Sequence, residues 1–165
     1  MTIPNTAKAQ KSYIVGALSH ESPSRVNTAI IDYTFDASVE NFATPSRACT
    51  YNSGTDTVAP GGDGVFAGLI LGNERIASDD GSSWYKKGDK VELVEMGRVA
   101  VNIDLAISDV ARGAAVHYQK TTGKLGAGLG DGTTTITIKN AVITDHGDKS
   151  ATPCLALVTL TGPVA

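Results

Sequence analysis

Apolar and polar side chains alternate along this chain in short runs, and clusters of Gly, Pro, Asn, Asp and Ser separate one run from the next. Tyr13 to Leu18 and Val26 to Phe35 are strand candidates divided by the loop HESPSR. In the second, Ile31, Tyr33 and Phe35 share one face, and Asp32 and Thr34 share the other, which is the period of a half-buried strand. Arg47 to Tyr51 predicts a shorter strand. TVAPGGDG, from Thr57 to Gly64, predicts irregular backbone because Pro60, Gly61, Gly62 and Gly64 crowd it. GVFAGLILG, Gly64 to Gly72, predicts a buried strand bounded by glycines.

Asn73 to Lys90 is polar and turn-rich, with Lys87-Gly88-Asp89 turning into the next strand. That strand runs from Lys90 to Ile103 and carries a bulge around Met96-Gly97, where a glycine interrupts the alternation. Asp104 to Ala111 reads as one turn of helix or as a loop across a barrel end. Gly113 to Gln119 is a strand with Val116 and Tyr118 on one side, followed by a turn at Thr122-Gly123. GKLGAGLGDG, Gly123 to Gly132, reads as a flexible hairpin loop. Strands at Thr133 to Thr144 and Cys154 to Leu160 close the chain.

Short strands at this spacing predict an all-β fold, a compact β-barrel or β-sandwich. The chain has 165 residues, with 18 Gly and only 5% aromatics, a mix that suits strands and tight turns better than long helices. No internal linker divides it, so residues 13–165 are expected to form one β-rich domain. Residues 1–12 read as an extended N-terminal arm, because Pro4 fixes the backbone and few side chains offer burial. Such an arm either frays or orders on a neighbouring subunit.

The formal net charge is −3, with acids and bases interspersed. No run of Lys or Arg tracks a phosphate backbone, so direct nucleic-acid binding is not expected. No apolar stretch approaches the about 20 residues that span a bilayer, and Ile14 to Leu18 is too short for a secretory core. A soluble protein made in the cytoplasm, without membrane contact, is expected. Cys49 and Cys154 belong to no CxxC or CxxH arrangement and read as small apolar residues with free thiols.

Candidate chemistry is sparse. In the tract Gly123 to Gly132, Lys124 is followed by Leu125 rather than Ser or Thr, and Gly126, Gly128 and Gly130 give G-x-G-x-G. It is neither a Walker loop nor a dinucleotide fingerprint, and it leads into a β-rich segment. His20 sits beside Glu21 in a Ser/Pro loop, and His117 faces opposite to Val116 and Tyr118. His146 lies in DHGDK, where Asp145 and Asp148 lack the spacing of a calcium loop. No nucleophile elbow accompanies the histidines, and the adjacent acids Asp79-Asp80 are not the separated pair of a glycosidase. A non-enzymatic protein with no cofactor and no metal is expected. Trp84 and Tyr85, beside Lys86 and Lys87, would stack a sugar or base, plug a barrel end, or anchor a protein contact.

Three blocks in order carry a resemblance: GVFAGLILG, then KKGDKVELVEMGRVAVNI after the Trp-containing loop, then VARGAAVHYQKTTGKLGA. They resemble the cement or decoration proteins of tailed-phage capsids, over about Gly64 to Gly126, with IPNTAKAQ similar to the opening of such chains. The resemblance implies a virion structural protein on the outer surface of the shell, assembled in the bacterial host. Its partners would be the major capsid protein, whose neighbouring subunits it bridges, and further copies of itself as a dimer or trimer. Residues expected at those contacts are Ile3, Pro4 and Asn5 in the arm, Trp84 and Tyr85 in the polar loop, Arg98 and Arg112 as polar anchors, and Leu125 to Leu129 as a reaching loop. The competing expectation is a glycan-binding or adhesive β-sandwich module using Trp84 and Tyr85.

Overall fold

The computed structural model describes residues 15–18, 23–72 and 84–162. The expectations placed on the arm, on Tyr13 and Ile14, on His20 and on Asp79-Asp80 lie outside the described residues. Among the described residues nine strands form: β1 (Arg25–Ile31), β2 (Ala48–Tyr51), β3 (Thr57–Pro60), β4 (Phe66–Ile70), β5 (Lys90–Leu105), β6 (Ala115–Gln119), β7 (Leu125–Ala127), β8 (Thr135–His146) and β9 (Cys154–Thr161). The other regular element among the described residues is a 3-10 turn, Ile107–Asp109, which answers the choice left open between Asp104 and Ala111. The fold is all-β.

The ladders close on themselves. β1 pairs with β3, β3 with β2, β2 with β4, β4 with β5, and β5 returns to β1, making a five-stranded barrel. The C-terminal strands close a second circuit on the same β5: β5 pairs with β7, β7 with β6, β6 with β8, β8 with β9, and β9 with β5. Closure removes most of the edges that would otherwise pair with other chains, although β3 reaches β1 only at Ile30 and Ile31.

β5 is the hinge of this arrangement, at 16 residues. Its partner changes at Met96, where the ladder with β1 ends (Arg25 opposite Met96) and the ladder with β9 begins (Met96 opposite Thr161). The expected bulge is there, with Glu95 as its extra residue: Val26 faces Val94 while Arg25 faces Met96. It inverts the pleat. Val94 joins the same apolar cluster as Val99, Val101 and Ile103, although an odd interval separates it from them. Val91 and Leu93 point into the other cluster, with Ile31, Cys49, Val58, Ala67 and Ile70. Ala48, Leu69 and Leu71, from first-barrel strands or their ends, pack into the second cluster beside Val116, Tyr118, Leu125, Ile143 and Val158, so apolar contact continues between the barrels.

Four elements depart from the expectation. The strand expected over Val26 to Phe35 ends at Ile31, so Tyr33 and Phe35 do not continue its face. Val15 to Leu18, the described part of the strand expected from Tyr13, is a turn followed by a single bridge from Leu18 to Val99. Thr57–Pro60 is a strand, not irregular chain, and only from Gly61 does the backbone turn through positive φ. Proline is tolerated as its last residue, where a missing amide leaves no gap further along the ladder. Leu125–Ala127, within the tract read as a loop, is a buried strand between β5 and β6. Both cysteines are buried free thiols.

Candidate interaction surfaces

Beyond Ile31 the chain leaves the first barrel. The Asp32 amide donates to the Val58 carbonyl (2.9 Å), and Asn52 Nδ2 donates to the Asp32 carbonyl (2.9 Å). Tyr33 turns inward against the first core, where burial raises its pKa. Its hydroxyl donates to the Tyr85 carbonyl (2.9 Å) and accepts from the Ala43 amide (3.3 Å). The Tyr85 amide donates to the Ala43 carbonyl (2.8 Å), an isolated antiparallel bridge. This pin brings three aromatic rings together at the surface. Trp84 stacks on Phe35 at 5.4 Å between centroids and meets Phe42 edge-on at 5.0 Å, while Phe35 and Phe42 lie 5.1 Å apart.

The loop around these rings is braced from within. Asn41 Nδ2 donates to the Thr34 carbonyl (2.8 Å), the Asp36 amide donates to Asn41 Oδ1 (2.8 Å), and the Asp36 carboxylate accepts from the Ser38 amide (2.8 Å). Phe35 is left 42% exposed and Val39 45% exposed. The bracing thus holds apolar side chains outward at the surface. Of the two aromatics singled out from sequence, Trp84 belongs to the patch and Tyr85 is half-buried against the first core. Phe35 and Phe42, the ring partners of Trp84, do not stand out in the sequence as surface residues. They lie far from it in sequence, and the Ala43–Tyr85 bridge together with the Tyr33–Tyr85 hydrogen bond unites them.

A charged cluster lies between the loop and the second barrel. The Lys124 ammonium bonds to the Glu40 carboxylate and holds it below the usual carboxylate range. Asp104 is pushed up by burial, with Arg47 and Lys124 opposing. Arg47 Nε donates to Thr44 Oγ1 (3.4 Å), whereas its Nη1 is buried without a hydrogen-bond partner; burial lowers the pKa of the guanidinium, and the fields of Asp104 and Glu40 oppose that shift. A groove of about 610 Å³ opens between the barrels. Phe66 and Tyr118, 6.3 Å apart, line it with Ile136 and Ile138, and the ion pairs Arg25–Glu95 (2.7 Å) and Lys120–Asp63 (2.6 Å) flank it.

The remaining sequence-selected residues are scattered. Arg98 lies half-buried on β5, its Nε donating to Thr159 Oγ1 (3.4 Å). Arg112 is well exposed, 3.9 Å from Asp145. Leu125 is 1% exposed in β7 and belongs to the core, so the projecting loop starts only after Ala127; Leu129, at its tip, is 78% exposed. Ile3, Pro4 and Asn5 lie outside the described residues.

For both described histidines the hydrogen-bond partner is a main-chain carbonyl: His117 Nδ1 lies 3.2 Å from Gly128 O and His146 Nδ1 lies 2.8 Å from Gly147 O. The His117 ring is covered by Gly126, where any Cβ would overlap it. Asp148 accepts from the Ser150 amide (2.8 Å) and closes its own turn. Among the described residues no three His, Cys, Asp or Glu side chains group as metal ligands, and no helix is long and apolar enough to cross a membrane. What the described surface offers is contact: an aromatic patch, a groove and a projecting leucine.

The fold has a solved counterpart in a chain from "The capsid of Myoviridae Phage XM1", with a TM-score of 0.64, 15% sequence identity and 98% of each chain covered. At that identity the likeness speaks for the fold alone. No curated protein sequence matches the chain. The model of the family described as structural cement protein (E217 gp24/Pam3 gp6) matches residues 3–161, nearly the whole length. The chain therefore belongs to the phage structural cement protein family.

Proposed function

We propose that this protein attaches to the outer surface of a phage capsid, bridges neighbouring major capsid subunits and works as a homo-oligomer without catalysing a reaction. The family match across residues 3–161 carries the reading. Physically, contacts repeated by the symmetry of a shell reach high avidity although each is modest, so no deep specific pocket is needed. The patch of Phe35, Phe42 and Trp84, with Val39 exposed on the same loop, is the anchor we assign to the capsid, because braced aromatic side chains dominate protein contacts. Tyr85 supports it from below. Leu129 reaches from the second barrel on a loop rooted by Leu125, Arg98 and Arg112 add polar contacts, and the arm at Ile3, Pro4 and Asn5 contacts a neighbour. Trp84 already stacks on Phe35, and no other observation favours a sugar ligand.

The test adds purified protein to expanded empty capsids that lack it. Attachment and a higher temperature of shell disruption are expected. Phe35→Ser and Trp84→Ala are each expected to weaken attachment about tenfold or more, with unchanged circular dichroism. A wild-type protein that ignores the mature shell of its own phage overturns the reading.

A further inference from the structure

β1 is covered along its length on one side only. Its ladder with β5 runs from Arg25 to Ile30, whereas β3 meets it only at Ile30 and Ile31. The Ile31 amide donates to the Asp89 carbonyl (2.9 Å), and the Ile31 carbonyl accepts from the Gly88 amide (2.7 Å), so Ile31 directs its main chain to the β5 side. Alternation along a strand then turns the main chain of Asn27 and Ala29 toward β5 and that of Val26 and Thr28 away from it. Among the described residues no strand pairs with that outer side at Arg25 to Ala29.

The exposed stretch carries few of the devices that blunt an edge. Arg25 to Thr28 are all exposed, Val26 and Ile30 are 40% and 37% exposed, and the strand contains no Pro, Gly or Lys. Its one charge, Arg25, is matched within the chain by Glu95 at 2.7 Å, so two such edges do not repel each other. Asn27 donates at the surface to Tyr51 Oη and Glu95 Oε1 (3.3 Å each), on the face it shares with Ala29 and Ile31, while Val26 and Thr28 alternate to the other face. The Thr28 amide is held only locally, by Asn27 Oδ1 at 2.9 Å.

An open edge is matched by another open edge, and a second copy brings one of the same length and side-chain spacing. Two-fold antiparallel pairing makes identical edges self-complementary. β3 blocks the approach from Ile30 onward, which places the axis near Asn27 and sets Val26 opposite the partner's Thr28, twice. The geometry points to a two-fold dimer formed by antiparallel pairing of the Arg25–Ala29 edges of two copies. This rests on the homo-oligomer reading above and narrows it to one interface, and it is testable without any capsid.

Val26→Cys and Thr28→Cys proteins are prepared separately, mixed and oxidised gently, with the native thiols of Cys49 and Cys154 buried out of reach. Directly opposed residues of a hydrogen-bonded antiparallel pair lie about 5.5 Å apart between Cα atoms, within disulfide range. The mixture is expected to form the heterodisulfide, while neither protein alone links to itself. Sedimentation equilibrium of the wild type should give a dimer, and Val26→Lys with Thr28→Lys should weaken it about tenfold or more at unchanged circular dichroism. A wild type that stays monomeric, or cysteine variants that link only to themselves, overturns the proposal and leaves capsid attachment standing.

Discussion

Gly123 and Gly54 have nearly the same left-handed backbone, at φ +70° and +74°, in opposite surroundings. A Cβ on Gly123 would sit 2.5 Å from the Ala48 carbonyl oxygen and 2.9 Å from the Gly61 amide nitrogen, whereas one on Gly54 meets nothing within 4 Å. Gly123 belongs to a knot in which the Ala48 amide donates to the Gly123 carbonyl (2.9 Å) and the Gly62 amide to the Lys120 carbonyl (2.7 Å), tying the β6–β7 turn to the first barrel. Gly54→Ala is therefore expected to cost only the conformational penalty, about 1 kcal/mol, and Gly123→Ala about 2–4 kcal/mol, both measured by denaturant unfolding. Equal losses would mean that the knot yields. Asp131 makes a second residue-scale case. Its carboxylate accepts from the amides of Thr133, Thr134 and Thr135 and from the Thr134 hydroxyl, bonds that hold its pKa well below the ordinary Asp value. A folded pKa below the unfolded one gives stabilisation that is complete above the unfolded value and is lost as pH falls toward the folded one. Amide protection at Thr133 to Thr135 should accordingly persist at neutral pH and decline only in acid below the usual carboxylate range. Asp131→Asn should lose much of it at every pH. Protection insensitive to that substitution would exclude the carboxylate as the organiser of the turn.

At the scale of elements, strands with room to show their period were legible in the sequence, and two of the shortest were not. Val99, Val101 and Ile103 in β5, and Val116 and Tyr118 in β6, display their alternation openly and are buried as expected. Leu125–Ala127 offers three residues flanked by glycines, too few for a period, and its partners are Ile103 and Leu105 on one side and the β6 strand on the other. Thr57–Pro60 was hidden by the Pro and Gly residues beside it, although its burial alternates. The candidate surfaces were less legible than the fold. Trp84 stood out as the single tryptophan, but the rings it packs on arrive through a bridge between distant loops. Arg98 and Arg112 stand out in the sequence by charge alone, and each is engaged within the chain, with Thr159 and Asp145.

The whole molecule is two closed circuits with one strand in common, and this makes a thermodynamic claim. Neither barrel can lose β5 without opening the other, and side chains of both share a continuous apolar cluster. Trp84 reports on the first barrel's end, while far-ultraviolet circular dichroism reports on all the strands. Their unfolding midpoints are expected to coincide; two separated transitions would mean that the barrels unfold independently. The bulge at Glu95 has a further consequence, for which changes of length the lineage of this chain can inherit. Inserting a residue between Val99 and Ile103 would turn part of the strand over and expose side chains that now face the core. Deleting Glu95 alone is different. With that residue gone, Val94 and Val99 would fall into phase as an ordinary strand, both still facing the shared cluster, but the local twist and the Arg25–Glu95 pair would disappear. Such a descendant would keep its inward set of side chains and lose the bend that the bulge gives the one strand both barrels share.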